Sequence, residues 1–150
     1  MISGHLLATL FTFTTYGTWL RGDLRGWVDE GNTLPYDPLL EDRDRAAMKH
    51  PPFHFDRDAR LGIGEAIGRS LITRLRIPIY ALTVQSWHVH LVTGSYAVEH
   101  GVVVKCAKDA VRWHLRIGRP IWADGFDKRF CFSAGAVRNR VEYVERHSLE

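Results

Sequence analysis

Two pairs of residues in this chain have the types and spacing to do chemistry: His88 with His90, and Tyr143 with His147. Two histidines one residue apart on a strand point to the same face of a sheet. Their backbones then lie about 6–7 Å apart, and their imidazoles can converge on one metal ion. Residues four apart on a helix share a face, so Tyr143 and His147 would project together. His-x-His supplies two ligands, so a third must come from elsewhere and the cation would keep open positions. His147 is the candidate, because His5, His50, His54, His100 and His114 have no partner at ligand spacing. A tyrosine one turn from a metal ligand suggests nucleophilic catalysis. A free phenol has a pKa of about 10, so at neutral pH it needs help to ionise or a strongly polarised target. A divalent cation on a phosphate oxygen provides that polarisation. Taken singly, a strand histidine is more often a hydrogen-bonded structural residue, and a helix tyrosine is more often merely half-buried. The joint pattern is what points to chemistry.

These residues need a strand and a helix to hold them, and the pattern of the chain predicts both. Leu6 to Thr15 reads as a strand with Phe11 and Phe13 on one side and Thr12 and Thr14 on the other. One apolar face implies a sheet covered on one side and accessible on the other. Tyr16 to about Phe55 is broken by glycines and prolines and reads as a long loop, with a short helix near Glu41 to Lys49. Asp56 reads as the N-cap of a helix to Arg76 with Leu61 or Ile63, Ala66, Ile67, Leu71 and Leu75 inward. Three glycines (62, 64 and 68) weaken that helix, and Pro78 closes it.

Ile79 to Thr93 is too long for one typical strand and reads as a hairpin turning at Gln85-Ser86-Trp87. His88 and His90 then take one face of its second strand, with Val89 and Leu91 on the other, towards the helices. Glu99 to Ile117 reads as a second helix, stopped by Gly118. Lys105, Lys108, Arg112 and Arg116 form one basic stripe along it, either a solvated face or a phosphate track. Phe126 to Phe132 is a last strand and Ala134 to His147 a last helix with Val137, Val141 and Val144 inward. The order is that of an α+β split β-α-β with one appended helix, in a single domain without repeats.

Composition limits the partners. At 150 residues with 45% hydrophobic and 25% charged residues, the chain is a one-domain globular protein with no run long enough for a membrane span. The N-terminus lacks a basic region and a small-residue cleavage site, and suits a strand better than a signal peptide. Two cysteines, Cys106 and Cys131, are too few for a disulfide framework or zinc ribbon, which makes a cytoplasmic, reduced compartment the expectation. The net charge is +3, and 16 of the 20 basic residues are arginine, whose guanidinium fork suits phosphate. In the long loop, Trp19 and Trp27 with Arg21 and Arg25 could stack bases and hold phosphates. Alternatively, both tryptophans pin the loop to the body.

Ser86-Trp87-His88-Val89-His90-Leu91-Val92 resembles the HUH motif (histidine, hydrophobic residue, histidine) of single-tyrosine HUH transposases. Arg140-Val141-Glu142-Tyr143-Val144-Glu145-Arg146-His147 resembles their tyrosine helix, in which a polar metal ligand follows the nucleophile by four residues. Phe11 to Leu20, with Arg25 to Asp29 behind it, resembles the first strand of the REP-associated branch, and Trp122 to Phe126 also fits. The likeness runs through nearly the whole chain in order. Trp87 departs from it, standing where the family more often has a small polar turn residue.

The resemblance implies a ferredoxin-like antiparallel sheet with its active face open to single-stranded DNA, in a prokaryotic cytosol or nucleoid. It implies that His88, His90 and His147 hold Mg²⁺ or Mn²⁺, and that Tyr143 attacks the scissile phosphate to leave a 5′-phosphotyrosine and a free 3′-OH. It implies a hairpin-bearing DNA partner and a homodimer, with a monomer possible in the REP-associated branch. A domesticated, non-catalytic DNA-binding protein and a metal-dependent nuclease using water are the alternatives.

Overall fold

Alternating side chains along Ala8–Thr14 make strand β1, which sends Phe11 and Phe13 to one face and Ala8, Leu10 and Thr12 to the other. The computed structural model describes residues 5–147. Strands β4 (Ile79–Val84) and β5 (His88–Thr93) form the expected hairpin. With β6 (Asp127–Cys131) they complete a four-stranded antiparallel sheet in the order β4-β5-β1-β6. Helices α2 (Arg60–Leu75) and α3 (His100–Leu115) join the strands in the split β-α-β connection, and α4 (Ala134–His147) follows the last strand. Among the described residues, no helix is long and apolar enough to cross a membrane.

The main core lies between one face of the sheet and helices α2 and α3. Phe11, Phe13, Val89 and Leu91 of the strands meet Ile63, Ile67 and Leu71 of α2 and Val103, Val104, Ala107 and Val111 of α3. Ile63, not Leu61, is the inward residue of the first turn; Leu61 is exposed. Of the three glycines of α2, Gly62 lies tightest: a Cβ there would come within 3.2 Å of the His114 ring. A Cβ at Gly64 or Gly68 would only be in ordinary van der Waals contact, 3.6 Å from Val84 and 3.7 Å from Ile79.

The second face is less open than alternation suggested. Ala8, Leu10, Val92 and Cys131 continue the apolar surface there, and α4 crosses it with Val144 inserted among them. Val144 is the one fully buried residue of α4, while Val137 and Val141 are half-buried. Burial of one such valine is worth about 1.5–3 kcal/mol, so α4 is docked by a small apolar contact.

Three local expectations are corrected. The stretch from Tyr16 to Phe55 is structured: β2 (Trp27–Asp29) and β3 (Asn32–Leu34) form a hairpin, and α1 spans Pro38–Ala47 rather than Glu41 to Lys49. The hairpin turns on Glu30 and Gly31, both at positive φ, without the usual Asn-Gly or Asp-Gly signal. The start of α1 is set by Asp37, whose side chain accepts from the Leu40 amide, with Pro38 in the first helical turn. Asp56 makes no capping side-chain bond; a 3₁₀ turn over Arg57–Ala59 intervenes before α2. Finally, α3 ends on Arg116, which itself adopts the left-handed conformation (φ 50°) expected of Gly118.

Candidate active site

The pleat of β5 puts His88 and His90 on the face that α4 crosses, and antiparallel pairing sets Thr12 of β1 opposite His90 and Thr14 opposite His88. On the other side, Thr83 of β4 is the register partner of His90. Helical spacing does the rest: Tyr143 and His147 project from one side of α4 onto the histidine pair. Ring centroids of His88 and His90 are 4.7 Å apart, those of His90 and His147 4.9 Å, and those of His88 and His147 6.3 Å. The Tyr143 ring lies 4.3 Å from His147 and 5.4 Å from His90. The two sequence pairs therefore meet in one cluster.

Two of the three imidazoles are oriented by hydrogen bonds. The Nδ1 atom of His90 is 2.9 Å from the Thr12 hydroxyl, and the Nδ1–H of His147 donates to the Tyr143 carbonyl at 2.8 Å. Both arrangements leave Nε2 free, as partners of ligating histidines do. The Nδ1 atom of His88 is buried and has no hydrogen-bond partner among the described residues. Burial, with His147 and Arg25 nearby, pushes the His88 pKa down to about 4. Burial, with His88 and His147 beside it, pushes that of His90 down to about 3. Both rings are thus neutral at pH 7, the form that binds metal.

Three clustered imidazoles, one with an orphaned nitrogen, fit the chemistry of a divalent cation. The donor set is all nitrogen, which suits Mn²⁺ or another transition ion better than Mg²⁺, an ion that prefers oxygen. As the side chains stand, no group of three His, Cys, Asp or Glu among the described residues is close enough to hold an ion. Binding one therefore requires the rings to draw together.

The depressed histidines have a consequence for stability. Unfolded, each titrates near the ordinary value of 6.5. Below that pH the unfolded chain takes up protons that the folded chain refuses, so their contribution is complete above about 6.5 and is lost as pH falls towards 4 and 3. The slope is up to roughly 1.4 kcal/mol per pH unit for each histidine. Urea unfolding without added metal should show a falling midpoint between pH 7 and 5; a flat profile contradicts the burial of neutral rings.

The loop residues divide. Trp19 and Arg25 reach the site: the Arg25 guanidinium lies 4.0 Å from the Trp19 ring centroid and 4.9 Å from that of Trp87. The Trp87 ring is in turn 4.2 Å from His88. Asp23, nearly buried, holds Arg25 through both carboxylate oxygens at 2.8 Å. Arg21 instead pairs with Asp44 of α1, at 2.8 and 2.6 Å. Trp27 donates to the Pro35 carbonyl and pins its own hairpin.

The basic stripe on α3 does not adjoin the histidines, because α3 packs on the opposite face of the sheet. Lys105 and Arg112 share Asp109, at 2.7 and 2.6 Å, and Arg116 folds back over Trp113. Lys108 is not part of an exposed stripe. It is buried and its ammonium donates to the carbonyls of Ala123 and Gly125 at 3.0 and 2.9 Å, fastening the approach to β6. Lys108→Ala leaves two carbonyls unpaired and should cost about 1–3 kcal/mol in thermal or urea unfolding. An unchanged midpoint with weakened DNA binding would return Lys108 to the surface.

Sequence reasoning missed Thr12, Gln85 and Asp23. Thr12 was legible as a residue on the open face, but its place opposite His90 depends on strand register. Asp23 and Gln85 had no signal beyond being polar residues in turns.

No protein-family model matches the chain, and no curated protein does. Among solved structures, it is similar to a REP-associated tyrosine transposase bound to a REP hairpin. The TM-score is 0.56 at 14% identity, over 99% of this chain and 68% of that one. At that identity the likeness establishes a shared fold.

Proposed function

We propose that this chain nicks and transfers single-stranded DNA through a 5′-phosphotyrosine intermediate, as a transposase of the HUH single-tyrosine type. The observation that carries the reading is the meeting of the two pairs: the Tyr143 ring is 5.4 Å from that of His90, and the His147 ring is 4.9 Å from that of His90 and 6.3 Å from that of His88. The fold shared with a transposase whose structure includes a DNA hairpin supports DNA as the partner. So does the arginine-rich composition.

Tyr143 is the nucleophile. Its Oη bonds to phosphorus as the bond from phosphorus to the 3′-oxygen breaks. The phenol proton is released, and the leaving 3′-oxygen gains one. The phosphodiester energy is kept in the tyrosyl ester, so a 3′-OH can reverse the step and rejoin a strand without ATP. A divalent cation held by His88, His90 and His147 would supply Lewis-acid polarisation of the scissile phosphate. Thr12 keeps the His90 ring in orientation, and Trp19, Trp87 and Arg25 form an aromatic and cationic edge beside His88 on which an unstacked base can lie.

The test is an adduct assay. The protein is incubated with labelled single-stranded oligonucleotides bearing a hairpin and single-stranded flanks, with Mn²⁺ or Mg²⁺, and resolved under denaturing conditions. A labelled, protein-sized band that depends on metal is expected. DNA binding without cleavage across a hairpin library sinks the catalytic reading and favours a non-catalytic DNA-binding protein.

A further inference from the structure

We infer that Gln85 is a positioning residue, a latch that holds the tyrosine-bearing end of α4 against the histidine hairpin of its own chain. This rests on the nucleophilic reading of Tyr143 for its catalytic consequence, though not for its structural one. Gln85 lies in the turn between β4 and β5, three residues before His88, and its backbone amide donates to the His88 carbonyl at 2.8 Å. Its side-chain amide donates twice, to the Thr83 hydroxyl at 2.9 Å and to the His147 carbonyl at 2.6 Å. The orientation of the amide follows from chemistry, because a carbonyl only accepts and must face the nitrogen.

Both ends of this bridge matter. Thr83 is the cross-strand partner of His90, so the latch stands on the strand beside one histidine of the pair. The His147 carbonyl belongs to the last turn of α4, where carbonyls have no acceptor role within the helix. The His147 ring is itself bonded to the Tyr143 carbonyl, so one hydrogen bond from Gln85 restrains a unit carrying both the tyrosine and the third imidazole. The rest of the docking is thin. Val144 is the only buried side chain of α4, and it sits on the side of the apolar cluster formed by Ala8, Leu10, Val92 and Cys131. A helix held by one valine and partly buried neighbours can pivot about that contact, and Gln85 opposes the pivot at the end where the chemistry lies.

The test uses Gln85→Met and Gln85→Glu, which keep the length of the side chain and remove the donor. The first readout is amide hydrogen exchange without DNA or metal. Amides in the last turn of α4, residues 143–147, should exchange about tenfold faster, while those of α2 and β1 are unchanged. The second readout separates binding from chemistry: the rate of adduct formation should fall about tenfold with hairpin affinity unchanged. Thr83→Val, which removes the other partner of the amide, should give the same pattern more weakly. A latch of no consequence would leave exchange at 143–147 as in the unaltered protein in both Gln85 variants, and that result overturns the inference. If the unaltered protein forms no adduct with any hairpin, the nucleophilic reading fails on its own, while the exchange comparison still decides whether Gln85 holds the helix.

Discussion

Tyr143→Phe is expected to abolish the covalent protein–DNA adduct of the proposed reaction and to leave the fold and hairpin binding intact. The substitution removes one oxygen and keeps the ring that packs 4.3 Å from His147 and 5.4 Å from His90. Loss of the adduct is then a statement about the nucleophile and not about the docking of α4. No other phenol lies in the ring cluster: Tyr16 packs against His50 and Tyr96 against His100, outside it. Without Oη there is no group to form the ester, so the effect is complete rather than graded. Denaturing gels with end-labelled DNA read both the adduct and free cleavage products. An undiminished adduct removes Tyr143 from the role. Cleavage that continues without an adduct means that water attacks, and the site is then that of a metal-dependent nuclease.

His90→Ala should lower both adduct formation and free cleavage by about a thousandfold or more, the order of several kcal/mol of lost charge stabilisation at the phosphate. His90 is the central ring of the three, within 4.9 Å of both others, and is oriented by Thr12. Thr12→Val keeps the ring but frees it to turn, and a loss of about 10–100-fold is expected, as for other partners of ligating histidines. Raising the Mn²⁺ concentration should recover part of the activity of Thr12→Val and none of that of His90→Ala. Wild-type rates in His90→Ala would disconnect the histidine cluster from the reaction, whatever Tyr143 does. Set against Tyr143→Phe, the variant also separates the two enzymatic readings: a water-using nuclease loses cleavage only in His90→Ala, and a tyrosine transferase loses its adduct in both.

Local periodicity made much of the fold readable. The hairpin at Ile79–Thr93, the two helices behind the sheet and the last helix stand where spacing of two or of three to four predicts them. Turn chemistry was harder to read. The β2–β3 hairpin turns on Glu30-Gly31, and the start of α1 is written in Asp37-Pro38, a pair obscured by the surrounding glycines and prolines. Lys108 shows the limit of stripe arguments. It falls in line with Lys105, Arg112 and Arg116 by count, yet its long apolar stem lets it pass into the protein and spend its charge on two carbonyls.

What the sequence determined by itself is therefore local: His88 and His90 share a face, Tyr143 and His147 share a face, and each sits on an element able to present it. Those facts follow from the repeat of the strand and of the helix, which any few residues carry with them. Whether the two faces meet is a different kind of question. It depends on the register that sets Thr12 and Thr83 beside His90, on Val144 seating α4 across the sheet, and on Gln85 reaching its last turn. Each is a contact between residues tens of positions apart, chosen by packing and hydrogen-bond satisfaction over the whole domain, and only the tertiary structure decided it.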